Sequence, residues 1–124
     1  MVNEMINSTR EPIGRIEVAP EVLTTIARFA TLSVEGVSGL GVTPGEKGHP
    51  FRRGGHEGVE LEITGDNRLN FDVYVLMDPH VNIMETSRKL QSAVVEAMNK
   101  MIGLEVQSVN IHVEDVVYEQ GEAA

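Results

Sequence analysis

The chain predicts an α+β fold: a two-layer sandwich in the order β-α-β-β-α-β, with both helices on one face of a mostly antiparallel sheet. Three observations predict it. Apolar residues recur at spacings of three and four in two stretches, 22–30 and 83–101. They alternate with polar residues in three others, 59–63, 69–75 and 109–113. Gly65-Asp66-Asn67-Arg68 joins two of the alternating runs with residues that favour a tight turn.

The elements follow in order. Residues 1–12 are polar, end in Pro12 and read as a flexible arm. Ile13, Ile16 and Val18 suggest a short first strand. Pro20 opens a helix at its first turn, where its missing N–H costs nothing. Glu21 sits near the positive end of the helix dipole. Ala19 is a poor cap, so packing must stabilise this helix. Val22, Leu23, Ile26, Phe29 and Ala30 form its predicted buried stripe, and Gly36 is a natural terminator. Gly36 to Val42 fits either a short strand or a packed turn. Residues 43–57 carry four glycines and two prolines and form a long loop. Loops this long inside a domain are uncommon and often functional or disordered.

Val59, Leu61 and Ile63, then Leu69, Phe71, Val73 and Val75, mark two half-buried strands of a hairpin. Asp78-Pro79-His80 turns the chain. Asn82, with Glu85 three residues on, makes a capping-box-like start to the second helix. Ile83, Leu90, Val94, Ala97, Met98 and Met101 form its stripe, and Gly103 ends it. Val109, Ile111 and Val113 mark the last strand. The expected layout is therefore one domain over 13–117, with a flexible tail over 118–124.

Composition bounds the function. The chain has 124 residues, a net charge of −9 and no cysteine. A surplus of carboxylates argues against nucleic acid, whose binding rests on Lys and Arg meeting phosphates. It also disfavours docking on an anionic membrane surface. No apolar run approaches the roughly 20 residues that span a bilayer, so no direct membrane insertion is expected. The first residues are too polar for a signal peptide, and the expected location is cytoplasmic. Without cysteine there are no disulfides, thiolates or Cys-ligated zinc.

Candidate chemistry is thin. His49 and His56, with Glu46 and Glu57, lie in the glycine-rich loop and match no metal-ligand spacing, so no metal is assigned. His80 reads as a turn residue. His112 falls on the polar side of the last strand, where a carboxylate partner would influence its titration. Glu60, Glu62 and Asp72 share the hairpin's polar side, and Glu114 is positioned to join them. Acid–base work would need a pocket that separates their pKa values, and an open sheet face supplies none. Gly36, Gly39 and Gly41 follow a helix, whereas phosphate loops precede one. Lys47, Arg52 and Arg53, beside Phe51, form the most basic patch and are the one candidate contact for an anion or an acidic partner. No catalytic residue and no cofactor are assigned.

Two blocks carry a family resemblance. Gly14 to Val42, GRIEVAPEVLTTIARFATLSVEGVSGLGV, resembles the opening signature of the bacterial alkaline shock, or envelope stress response, proteins. The matching positions are Gly14-x-Ile16, Val22, Ile26-Ala27, Ala30 and Glu35-Gly36-Val37. The closing block is similar too: Val94, Gly103-Leu104-Glu105-Val106 and Val109-Asn110-Ile111-His112-Val113. The likeness covers about residues 13–117. Asp78-Pro79-His80-Val81 departs from the Tyr-Gly pair usual before the second helix. The resemblance implies a non-enzymatic cytoplasmic protein of cell-envelope homeostasis or stress, acting by self-association as a homo-oligomer and by partner binding. It also implies membrane contact through a separate membrane-anchoring protein. The alternative is a small anionic-ligand binder or an enzyme that uses the 43–57 loop as a lid.

Overall fold

A computed structural model describes residues 6–7, 13–43 and 58–117 of the chain. The elements among them are β1 (Ile6–Asn7), β2 (Glu17–Val18), α1 (Pro20–Leu32), β3 (Val37–Leu40), β4 (Val59–Ile63), β5 (Leu69–Met77), α2 (Ile83–Met101) and β6 (Val106–Val116). The expected element order holds, with β1 and β3 added to it.

Local chemistry sets both helices. Pro20 occupies the first turn of α1, and Ala19 supplies no side-chain cap. Gly36 follows the helix at φ +105°. Asn82 caps α2 by accepting the Glu85 N–H through its side chain at 2.9 Å. Gly103 closes α2 at φ +79°, and its N–H reaches the Met98 carbonyl at 2.9 Å. Gly103 is the glycine exit that left-handed caps favour, whereas α1 already ends at a right-handed Ser33 and the expected terminator Gly36 lies three residues further on, in the turn where the Val37 N–H reaches the Val34 carbonyl at 3.2 Å.

β5 is the spine of the sheet. β6 runs parallel along its whole length. β4 pairs antiparallel with the Leu69–Val73 half, and β3 with the Val75–Met77 half. A strand has only two edges, so β3 and β4 lie end to end on the edge opposite β6. They meet at Tyr74, whose N–H donates to the Gly58 carbonyl and whose carbonyl accepts the Gly41 N–H, both at 2.7 Å.

The alternation of β5 divides the sheet. Leu69, Phe71, Val73, Val75 and Met77 are fully buried on one face. Leu23, Ile26 and Ala27 from α1, and Leu90, Val94 and Met98 from α2, cover them. α1 packs on α2, β3 and β4, while α2 also packs on β6. Burying each such side chain contributes about 1.5–3 kcal/mol, which outweighs the missing cap at Ala19.

Several sequence expectations change. The strand expected from Ile13 shrinks to Glu17–Val18, which pairs with β1 rather than with the main sheet. The place beside β5 goes to β3, from the stretch that the sequence left open between strand and turn. Val22 and Phe29, expected in the buried stripe of α1, are 44% and 68% exposed. Spacings of three and four admit two apolar arcs on this helix, and Leu23, Ile26 and Ala27 won the core. Ile83 and Met101 are also exposed. They lie on the core-facing stripe of α2 but in its first and last turns.

Candidate functional site

Two surfaces stand out, one polar and one apolar. The polar one is the open face of the sheet. β pairing sets Glu60 of β4 directly opposite Asp72 of β5, and Asp72 opposite Asn110 of β6. Like charges facing each other across strands are unfavourable. The structure offsets this with donors: Asn110 Nδ2 donates to Asp72 Oδ1 at 3.2 Å, and His112 Nε2 lies 2.9 Å from the same oxygen. The His112 ring stacks on Tyr74 with centroids 4.4 Å apart and an interplanar angle of 12°. One row along, Ser108 Oγ donates to Asn70 Oδ1 at 2.7 Å.

Glu114 closes this patch. It sits where the register of β6 shifts against β5, between the Val75 and Leu76 pairings. Its Oε1 accepts the Val42 N–H at 3.3 Å and lies over Gly41, where any Cβ would meet the carboxylate. Glycine at 41 is what lets the carboxylate reach across to the chain just past β3. Partial burial of the Tyr74 ring raises its phenol pKa above the usual tyrosine value, and the carboxylates of Glu60, Asp72 and Glu114 push it the same way.

A histidine hydrogen-bonded to a carboxylate can serve as an oriented base. This one lies in the open, with the His112 and Asp72 side chains 42% and 35% exposed. Exposed pairs of this kind contribute about 0–1 kcal/mol. Among the described residues no group of three or more His, Asp or Glu is placed to hold a metal ion. The patch is a wet, acidic, hydrogen-bonded sheet face.

The apolar surface is the outer face of α1. Val22, Phe29 and Leu32 lie there with Thr25 between them, flanked by Glu21 and Arg28. The Arg28 Nε is withdrawn from solvent and has no hydrogen-bond partner among the described residues.

The chain matches the family model of alkaline shock protein 23, described as having a cell envelope-related function, over residues 8–118. It belongs to that family. An uncharacterised protein of Streptococcus pyogenes serotype M6, Spy1535, is 34% identical over 113 residues, covering 90% of this chain and 86% of its own. The uncharacterised YloU of Bacillus subtilis is 29% identical, covering 86% and 92%. Among solved structures, a MamM CTD variant aligns with a TM-score of 0.50 at 18% identity, over 85% of this chain and 88% of its own. That likeness extends to the fold alone.

In this alkaline shock family member, the sequence-predicted site residues divide. Glu60, Asp72, Glu114 and His112 come together on the sheet face as their alternation implied. His80 lies exposed in the turn before α2. Lys47, Arg52 and Arg53, with His49 and His56, lie outside the described residues. The exposed stripe of α1 was missed. Its signal was present: Val22, Thr25, Phe29 and Leu32 repeat at steps of three, four and three, which is a second helical stripe. No helix among the described residues is long and apolar enough to cross a membrane.

Proposed function

We propose that this alkaline shock family member is a non-enzymatic cytoplasmic protein that serves the cell envelope by associating with itself and with envelope partners. Membrane contact then comes through a separate anchoring protein. The observation that carries this reading is the outer face of α1, where three large apolar side chains remain in water. Isolated surface apolar residues are ordinary, but a contiguous stripe marks an interaction surface. The family's envelope-related description supports the setting. The open sheet face is consistent with the non-enzymatic part, because Glu62, His112 and Glu114 are exposed and Glu60 and Asp72 only half-buried.

Sedimentation equilibrium of the purified chain and a cross-linked pull-down from the source cell test it together. The expected results are concentration-dependent association and recovery of an envelope protein. A chain that stays monomeric at about millimolar concentration, where even weak complexes form, and that captures no envelope protein would end this reading.

A further inference from the structure

We infer that the outer face of α1 is a two-fold seam between two copies of this chain, packed antiparallel and crossing near Thr25. The inference rests on the self-association proposed above and names the surface and its register.

The second copy is singled out by charge. The chain carries a net charge of −9, so two copies repel across most approaches. On the open sheet face Glu60, Glu62, Asp72 and Glu114 would meet their own images. The outer edge of β6 is also poorly suited to add a second copy as a strand. Register shifts interrupt the strand near both ends, and Gln91 Nε2 from α2 already donates to the Val109 carbonyl at 3.0 Å. Bulges and covered carbonyls of this sort protect edge strands. α1 differs, because its only charged side chains are Glu21 and Arg28, which sum to zero.

Those two residues are also self-complementary. They stand seven apart, two turns along the same flank of the stripe. An isologous contact requires residue i to meet j while j meets i. An antiparallel copy crossing at Thr25 does this twice over: Glu21 comes beside Arg28 of the second copy, and Arg28 beside its Glu21. The same crossing puts Val22 beside Phe29 of the second copy, and Phe29 beside its Val22. Thr25 is small and lies on the axis, so the backbones approach closely. Leu32 then reaches the segment before α1 of the other copy, where Ile16 is exposed. A seam about 20 Å long falls at the small end of protein interfaces, so micromolar or weaker association is expected.

The test is sedimentation equilibrium from about 1 µM to about 1 mM, a range that spans weak to moderate affinity. The proteins are the wild type, Glu21→Arg, Arg28→Glu, the double reversal and Phe29→Glu, each checked for native circular dichroism. Each single reversal places like charges together twice and weakens association about tenfold or more. Mixing the two single variants in equal amounts restores it, and so does the double reversal. Phe29→Glu is monomeric throughout. If the wild type associates while the reversals and Phe29→Glu leave the dissociation constant within about twofold, self-association stands on another surface and this seam is wrong. A wild type that is monomeric throughout removes both. Rescue by charge exchange separates a true seam from damage to the fold, since a misfolded variant regains nothing on mixing.

Discussion

Gly58→Ala probes the junction on which the sheet depends. Gly58 immediately precedes β4, accepts the Tyr74 N–H through its carbonyl, and has φ +76°. A Cβ there would lie 2.6 Å from Leu40 Cβ, with Leu40 Cγ and Cδ2 both at 3.1 Å. Two costs therefore add. An L-residue held at positive φ loses about 1–2 kcal/mol. Overpacking against an atom fixed to the backbone of β3 loses about 1–3 kcal/mol more. Gly103→Ala isolates the first cost, because Gly103 has φ +79° and a Cβ there meets nothing within 4 Å. Urea denaturation followed by circular dichroism should give about 2–5 kcal/mol for Gly58→Ala and about 1–2 kcal/mol for Gly103→Ala. Total stability is on the order of 5–15 kcal/mol, so the first variant loses a large fraction of it. If the two variants cost the same within about 0.5 kcal/mol, the close approach of β3 to β4 is wrong and the end-to-end arrangement along β5 loses its support.

Other outcomes follow from burial, capping and charge. Phe71→Ala should cost about 3–5 kcal/mol in urea melts, because Phe71 is fully buried. Phe29→Ala, measured where the chain is monomeric, should stay within about 0.5 kcal/mol of wild type, which separates the two apolar arcs of α1. Asn82→Ala removes the cap on the Glu85 N–H and should cost about 1 kcal/mol. Tyr74 ionises above its usual value because of partial burial and the carboxylates of Glu60, Asp72 and Glu114. The unfolded phenol therefore loses its proton first, so stability is full below about pH 10 and falls as pH rises toward the folded value. In a Tyr118→Phe background, phenolate absorbance should report that raised value, and Tyr74→Phe should flatten the alkaline loss of stability. A phenol that titrates at the ordinary tyrosine value would contradict the crowded sheet face.

What the sequence made legible was local. The hairpin turn at 65–68, the Asn82 cap and the glycine exit at 103 are each written within a few residues. So is the alternation that placed Glu60, Glu62 and Asp72 on one face. What it concealed was pairing over distance. β3 is four residues long with a glycine inside it, and only β5 some forty positions later makes it a strand. His112 and Asp72 are likewise forty apart, and their contact depends on the parallel register of β6. Phe29 was misplaced for another reason: a period of 3.6 reveals that a stripe exists but not which of two arcs meets the sheet. The basic residues Lys47, Arg52 and Arg53 lie outside the described residues, so their role stays with the sequence.

Salt decides which charges govern association at the α1 seam. A chain of this length has a radius of gyration near 14 Å, so two docked copies stand on the order of 25 Å apart. At about 0.01 M salt the screening length is roughly 30 Å, and the two −9 fields oppose each other in full. At about 0.15 M it is roughly 8 Å, and that repulsion is largely gone. The Glu21–Arg28 pairs act within a few ångströms and lose much less over the same range. Association should therefore strengthen as salt rises from about 0.01 to about 0.15 M and then level off. If it weakens steadily from the lowest salt upward, attraction between opposite charges dominates. The Glu21–Arg28 pairs would then outweigh the repulsion between the −9 fields, and long-range repulsion would not govern association.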